Sequence, residues 1–218
     1  MKKLALAAAI GLISASAFAD QGDIIARFRV IDVSPSTTWN NASLGNTLGL
    51  NVDAKSDTVP ELDFTYMITN NIGAELILGT SRHTITGTAT ANSAAGQVSL
   101  GNVSVLPPTL TLQYHFAPQS ATFRPYVGAG VNYTRFYDSG ANAANLLGSN
   151  TPLNVKDNSF GPALQIGADF PISKNFFVNV DVKKIWIKTD VSVASSGAEL
   201  GTLHVDPYVF GLGIGTKF

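Results

Sequence analysis

The sequence predicts an all-β fold: an eight-stranded antiparallel transmembrane β-barrel with short periplasmic turns and long extracellular loops. Three observations support this prediction. Eight segments alternate apolar with polar or glycine residues at a period of two, and the connections between them are alternately short and long. No later segment approaches the roughly 20 consecutive apolar residues of a membrane helix, whereas a tilted strand of roughly nine to eleven residues crosses a membrane.

The first 19 residues have the pattern of a secretory signal peptide. Two lysines precede an apolar run over residues 4–13, and Ala17–Phe18–Ala19 is a small-residue cleavage motif. The apolar run is too short to span a bilayer as a helix. We therefore expect cleavage near Ala19 and a mature outer-membrane barrel over residues 20–218, which is about one domain long.

The composition of the mature chain excludes several classes of function. Without the two N-terminal lysines there are 12 basic residues against 15 acidic, a net charge of −3, which argues against a nucleic-acid surface. The sequence contains no cysteine, so disulfides and thiolate sites are impossible. No metal constellation, phosphate loop or nucleotide motif is apparent, so we predict no cofactor.

The first four predicted strands each have one apolar face. In the second, Leu62, Phe64 and Tyr66 alternate with Glu61 and Asp63. The other three follow the same rule, so that each strand has one face for lipid and one for the barrel interior. Their bounds are Gly22–Val33, Val59–Ile68, Ile72–Leu78 and Val103–Phe116.

The last four predicted strands repeat this pattern, with glycine common on the inner face. In the final strand Tyr208, Phe210 and Leu212 alternate with Val209 and Gly211. We expect Phe218 to complete a periplasmic aromatic belt. The bounds are Phe123–Phe136, Ser159–Phe170, Phe176–Lys183 and Tyr208–Phe218.

The connections place the two ends of the barrel. Short turns at residues 69–71, 117–122 and 173–175 alternate strictly with long polar segments at residues 34–58, 81–102, 138–154 and 190–203. All short turns therefore lie at one end, as in outer-membrane barrels. A soluble eight-stranded barrel would enclose its apolar face. Here the charged face must instead line the lumen, so the apolar face points outwards. Outer-membrane lipid is therefore the expected partner of the apolar face.

Charged residues are concentrated on the periplasmic half of the inner face. An eight-stranded barrel is only wide enough for side chains to fill, and buried charges must be paired. We therefore predict a salt-bridged plug that closes the lower barrel; the alternative is a packed interior with no transport role. The predicted plug residues are Arg27, Arg29, Asp63, Glu75, Arg124, Asp169, Asp181 and Lys217.

The extracellular half of the inner face is apolar. An apolar space above a charged plug would form a blind pocket for an apolar ligand; equally, these residues could be the hydrophobic core of a small barrel. The predicted lining residues are Ile77, Val103, Val105, Pro107, Lys183, Ile185, Val205, Pro207 and Val209.

Prolines interrupt several predicted strands. Each removes a ladder donor, and lipid cannot satisfy the freed carbonyl groups. Such positions produce either harmless kinks near strand ends or a gap through which an apolar molecule could pass sideways into the membrane. The prolines concerned are Pro107, Pro108, Pro125, Pro162 and Pro207.

Several stretches resemble the OmpW family of small outer-membrane barrels: "LDFTYMITNNIGAELIL", "LPPTLTLQYHF", "FRPYVGAGVNYTRFYDSG" and "HVDPYVFGLGIGTKF". The resemblance covers most of the mature chain and is weakest in the long loops. It implies a narrow hydrophobic channel for uptake of small hydrophobic solutes with lateral release. It also implies recognition of Phe218 by the outer-membrane assembly machinery. An aliphatic constriction residue of the family matches Ile77, whereas its aromatic partner is replaced here by Lys183, which could pair with Asp181 or Glu75.

Two other functions are compatible with the sequence. A sealed structural or receptor barrel would bind partners through its extracellular loops. A lipid-modifying enzyme would need a hydroxyl nucleophile, a histidine base and a carboxylate. The candidate group for such chemistry is His204 and Asp206 with Ser192, Ser195 and Ser196.

Overall fold

The computed structural model of the chain describes residues 20–147 and 150–218 and consists of strands joined by three short helices. In chain order the elements are β1 (Ile24–Ser34), β2 (Thr38–Asn41), α1 (Ser43–Leu48), β3 (Leu50–Ala54), β4 (Asp57–Met67), β5 (Ile72–Gly79), β6 (Ser81–Ala89), a 3-10 helix (Thr90–Ala95), β7 (Val98–Leu106), β8 (Thr109–His115), β9 (Arg124–Tyr137), α2 (Ala144–Leu147), β10 (Leu153–Val155), β11 (Asn158–Pro171), β12 (Phe176–Ile185), β13 (Lys188–Val193), β14 (Glu199–His204) and β15 (Tyr208–Lys217). The predicted signal peptide, residues 1–19, lies outside the described residues.

Eight of these strands form a closed antiparallel barrel, which confirms the predicted fold. Each of β1, β4, β5, β8, β9, β11, β12 and β15 pairs with its neighbours in this order, and β15 pairs with β1 to close the ring. The β1–β15 pairing runs from Ile25 opposite Lys217 to Ser34 opposite Tyr208. The three connections predicted to be short are short and lie at one end.

The outer face of the barrel is apolar, as the period-two pattern predicts. Phe28, Leu112, Ile166 and Leu212 on four different strands are 52–61% exposed. In a soluble protein so many exposed large apolar side chains would drive aggregation, whereas in a bilayer they contact acyl chains. Exposed aromatic residues lie near both ends of the strands, namely Tyr66, Tyr114, Phe116 and Phe176 towards the periplasm and Tyr133, Tyr137, Phe160 and Tyr208 towards the outside.

Most of the long connections continue the wall of the barrel above the membrane. β3, β6 and β7 extend the sheet that contains β9, and β10, β13, β14 and β2 form a separate four-stranded sheet. The assignment of residues 81–102 to a loop is therefore wrong, because β6 and β7 pair over much of this segment. No helix in the described residues is long and apolar enough to cross a membrane.

The predicted strand Val103–Phe116 is divided at Pro107 and Pro108 into β7 and β8. The two halves keep one register against the preceding strands, since β5–β8 pairing ends at Ile77 opposite Thr109 and β6–β7 pairing begins at Ser81 opposite Val105. In this register the odd-numbered positions exchange backbone hydrogen bonds, as the His115 N–H and the Asn71 carbonyl do at 2.7 Å. Gly79 therefore lies opposite Pro107 at a position where a hydrogen-bonded pair is due.

Glycines allow the strands to approach closely at two places. A Cβ atom at Gly130 would lie 1.9 Å from the Leu110 carbonyl oxygen, and one at Gly213 would lie 2.1 Å from that of Phe28. Both contacts are with the backbone of the adjacent strand, which cannot move aside without breaking the wall. Gly130 and Gly213 are thus required by close strand packing in a narrow barrel.

Candidate functional site: an apolar cavity above a charge network

A network of buried ion pairs fills the middle of the barrel. On β1, the Arg27 guanidinium lies 2.9 Å from Asp169, 3.3 Å from Asp63 and 3.7 Å from Glu75. It also donates a hydrogen bond to the Thr65 hydroxyl at 2.9 Å. Arg27 is fully buried, so these contacts replace its entire hydration shell.

Arg29, the next inward residue of β1, contacts four carboxylates. It lies 2.6 Å from Asp63, 2.8 Å from Glu61, 3.5 Å from Glu75 and 3.6 Å from Asp181. Because Asp63 and Glu75 contact both arginines, the two groups form one network across the lumen. Three of these carboxylates come from β4 and β5, so the network ties β1 to its neighbours.

Lys183 completes the network on the side of β12. Its ammonium group lies 2.6 Å from Asp181 and 3.1 Å from Glu61. The Tyr126 hydroxyl and the Gln165 amide also donate hydrogen bonds to Asp181, at 3.0 and 2.8 Å. Charges buried in this way are stable only when they are paired and hydrogen-bonded, and the contacts of Lys183 and Asp181 meet this requirement.

Two residues predicted for the plug lie towards the periplasmic rim and have other hydrogen-bond or ion-pair partners there. Lys217 pairs with Asp23 at 3.2 Å. Arg124 donates a hydrogen bond to the Ser120 carbonyl at 2.8 Å and interacts electrostatically with Asp169. The ion pairs described above therefore join six of the eight predicted plug residues with Lys183 and Glu61.

Above the network lies an interior cavity of about 100 Å³. Ile77 and Lys183 are both at least 96% buried and line it, together with the other predicted lining residues: Val103, Val105, Pro107, Ile185, Val205, Pro207 and Val209. Two apolar clusters surround the space. The lower one includes Val33, Phe136 and Ile187, and the upper one, in the extracellular extension, includes Leu100, Leu146 and Leu200.

The wall beside the cavity is interrupted where Gly79 faces Pro107, and both residues line the cavity. Pro107 has no N–H to donate. Its carbonyl oxygen accepts instead from the Thr109 hydroxyl at 3.0 Å and the Asn132 amide at 3.1 Å. Consequently no backbone hydrogen bond joins residues 78–80 to residues 106–108, all of which the structure describes.

The interruption, which we call the wall gap, faces lipid on its outer side. Leu78 and Leu106, which flank it, are each 40% exposed. On the opposite edge of the same strand the wall is intact, because the Tyr133 N–H donates to the Pro108 carbonyl at 3.0 Å. The break therefore does not extend to the seam between β8 and β9.

The other interior prolines do not open the wall. The carbonyl groups of Pro125, Pro162 and Pro207 each accept a backbone hydrogen bond from the adjacent strand, at 3.0, 3.1 and 3.2 Å. Each of these prolines therefore keeps one of the two backbone hydrogen bonds that a residue pair in adjacent strands can form. Of the two interpretations of the prolines, the gap fits Pro107 and the harmless kink fits these three.

Two polar residues of the cavity wall, Ser81 and His83, lie outside the predicted strands. Both were assigned to a loop but lie on β6, with 6% and 5% exposure, and both line the cavity. The segment that follows Gly79 has a weak apolar alternation, "TSRHTITGTAT", so the period-two signal is too poor to identify a strand. The available indication of a strand pair was the alternating stretch "NVSV", which lies opposite "SRHT" in the sheet.

The candidate enzymatic group is not assembled. The Asp206 carboxylate accepts a hydrogen bond from the Ile187 N–H at 2.9 Å. No hydrogen bond joins His204 to Asp206 or to Ser192 in the described part of the chain. The described residues also contain no group of three or more His, Asp or Glu side chains placed to hold a metal ion.

Comparisons with known proteins agree with this architecture. The model of the OmpW family matches residues 20–218. The chain is 39% identical to outer membrane protein W of Escherichia coli (strain K12) over 223 residues, covering 100% of both proteins. It is 33% identical over 172 residues to the dibenzothiophene metabolism operon protein DoxH of Pseudomonas sp. (strain C18), covering 78% of this chain and 76% of that protein.

Two solved structures share the fold. The crystal structure of OprG from Pseudomonas aeruginosa superposes with a TM-score of 0.80 at 27% identity, covering 94% of this chain and 99% of that one. The solid-state NMR structure of AlkL in DMPC lipid bilayers gives a TM-score of 0.68 at 26% identity, with 95% of each chain covered. The chain therefore belongs to the OmpW family of Gram-negative outer-membrane β-barrels, whose members are not enzymes.

Proposed function

We propose that this barrel takes up small apolar molecules from outside the cell and releases them sideways into the outer membrane. A solute enters the apolar cavity from the extracellular side and leaves through the wall gap between Gly79 and Pro107. The charge network below blocks the direct path to the periplasm.

One observation carries this proposal: an apolar cavity that lies above a group of buried ion pairs also borders the wall gap, where both backbone hydrogen bonds of the Gly79–Pro107 pair are missing. A barrel that served only as a scaffold would gain stability from a complete seam, because unpaired backbone groups next to lipid are costly. The relative named for a dibenzothiophene metabolism operon gives independent support. Dibenzothiophene is an apolar aromatic molecule of the kind that such a cavity would accept.

Uptake by cells that lack or express the protein tests the proposal. We would follow an apolar dye or a medium-chain alkane, with a sugar of similar size in parallel. Expression should accelerate entry of the apolar solute alone. Ile77→Trp should remove this acceleration, because the larger ring would fill a cavity of only about 100 Å³ at its lower end.

Leu76→Trp is the matched control. Leu76 precedes Ile77 on the same strand, faces lipid at 42% exposure and lies opposite Leu110, away from the wall gap, so an indole there would leave both the cavity and its exit open. If neither solute enters faster with the wild-type protein, the channel proposal fails. The sealed receptor barrel would then be favoured, with binding through the extracellular extension.

We also propose that the outer-membrane assembly machinery recognises the C-terminal end of β15. Phe218 exchanges backbone hydrogen bonds with Ile24 at 2.9 and 3.0 Å, and its ring is 48% exposed on the outer face. The ring is thus available before the last strand pairs with β1. Phe218→Ala should lower the folded amount in the outer membrane, while refolding of the purified chain in detergent should change little.

A further inference from the structure

The wall of the cavity carries a polar pair at the upper edge of the wall gap. Ser81 and His83 are successive inward residues of β6, and Ser81 follows Thr80, the last residue of the interrupted seam. Opposite them on β7 lie Val105 and Val103. The pair therefore stands alone among aliphatic side chains on this part of the wall, where a solute passes on its way to the gap.

A hydrogen-bond chain fixes the direction in which Ser81 bonds. The His83 Nδ1 atom lies 2.7 Å from the Lys55 carbonyl oxygen. A carbonyl oxygen only accepts, so Nδ1 carries the ring proton. In the neutral imidazole Nε2 is then an acceptor, and the Ser81 hydroxyl, 2.9 Å away, donates to it.

Ser81 has thereby used its only proton. Its Oγ atom makes no other hydrogen bond in the described part of the chain, so lone pairs remain to accept one from within the cavity. Thr109, another hydroxyl of the cavity, differs in this respect, because it donates to the Pro107 carbonyl and accepts from the Asn132 amide at 2.8 Å. Ser81 is thus oriented as an acceptor for a ligand.

We propose that Ser81, held in place by His83, recognises the hydroxyl group of an apolar alcohol or phenol. The barrel would then bind a hydroxylated hydrocarbon more tightly than the parent hydrocarbon. This inference rests on the proposed function, since it concerns a solute in the same cavity. The Ser–His pair does not form a nucleophilic triad, because a backbone carbonyl takes the place of the orienting carboxylate.

Paired ligands that differ by one hydroxyl test this inference. We would measure equilibrium binding of naphthalene and 2-naphthol to the full-length mature protein in lipid nanodiscs by ligand fluorescence, subtracting the signal of protein-free nanodiscs. A single neutral hydrogen bond corresponds to roughly a 2- to 10-fold preference for the phenol. Ser81→Ala should abolish this preference, so that 2-naphthol binds no more tightly than naphthalene.

Two further variants sharpen the result. His83→Phe should reduce the preference as well, since Ser81 then loses the group that orients it. Thr86→Val is the matched control: its hydroxyl is also buried on β6, but it accepts a hydrogen bond from the Gln97 amide at 3.2 Å and does not line the cavity. It should leave the preference intact.

The outcomes separate this inference from the proposed function. Equal binding of both ligands to the wild-type protein, or a preference that survives Ser81→Ala, would overturn the role of Ser81 and leave the channel standing. An equal loss of preference in Thr86→Val would also overturn it. If neither ligand binds the wild-type protein, both proposals fail.

Discussion

Replacement of Arg29 by methionine tests whether water is excluded from the charge network that lies below the cavity. Methionine keeps much of the alkyl length but removes the guanidinium from the centre of the charge network. Glu61, Asp63, Glu75 and Asp181, all within 3.6 Å of Arg29, would each lose a positive partner. Arg27 and Lys183 would remain as the only cations described in contact with these carboxylates.

The size of the effect follows from burial. Arg29 and its partners are almost completely removed from solvent. Removal of one partner from such a site leaves uncompensated buried charge and costs about 3–5 kcal/mol. Since about 1.4 kcal/mol corresponds to a factor of ten, the folded-to-unfolded ratio should fall roughly a hundredfold to several-thousandfold.

Urea unfolding in lipid vesicles, followed by fluorescence of Trp39 and Trp186, would measure the change. Lys156→Met is the control, because Lys156 forms a solvent-exposed pair with Asp190 at 3.1 Å. Exposed pairs contribute about 0–1 kcal/mol. If Arg29→Met lowered the unfolding free energy by no more than this control, the network would be solvated and the exclusion of water below the cavity would be refuted.

Three further predictions concern the wall and the network. Pro107→Ala supplies the missing N–H opposite Gly79, so it should close the wall gap and slow uptake of apolar dye, whereas Pro125→Ala should not; equal rates in both variants would contradict the role of the gap. Gly130→Ala places a Cβ atom 1.9 Å from a carbonyl oxygen and should reduce the folded fraction on heat-modifiability gels. Tyr126→Phe removes a buried hydroxyl that donates to a carboxylate at 3.0 Å, so it should lower the unfolding free energy by about 1–3 kcal/mol; an unchanged urea midpoint would contradict this.

The period-two pattern was sufficient to predict the barrel because lipid imposes a strict rule on one face. Phe28, Leu112 and Leu212 must be apolar wherever they contact acyl chains, so the sequence shows the strands directly. Above the membrane that rule no longer applies. Residues 81–102 therefore read as a polar loop although they form β6 and β7, and the depth of the cavity could not be predicted.

The site was predicted in part for a similar reason. The alternation of side chains along each strand is enough to place Ile77, Lys183 and Val209 on the lumen face, even when the neighbouring strands are not known. It does not show which charges meet across the lumen, because this depends on the stagger between strands. Hence the sequence offers Asp181 or Glu75 as partners of Lys183, whereas in the structure its ammonium group contacts Asp181 and Glu61.

The one-sided wall gap has a thermodynamic consequence for a barrel that works as proposed. With no moving part and no coupled ion, the protein cannot concentrate its solute; it only shortens the time to reach the partition equilibrium between water and the hydrocarbon interior of the membrane. The amount delivered is then set by how fast downstream proteins withdraw the solute from the lipid. Cells that produce more barrel would gain speed, but their final membrane content would stay the same.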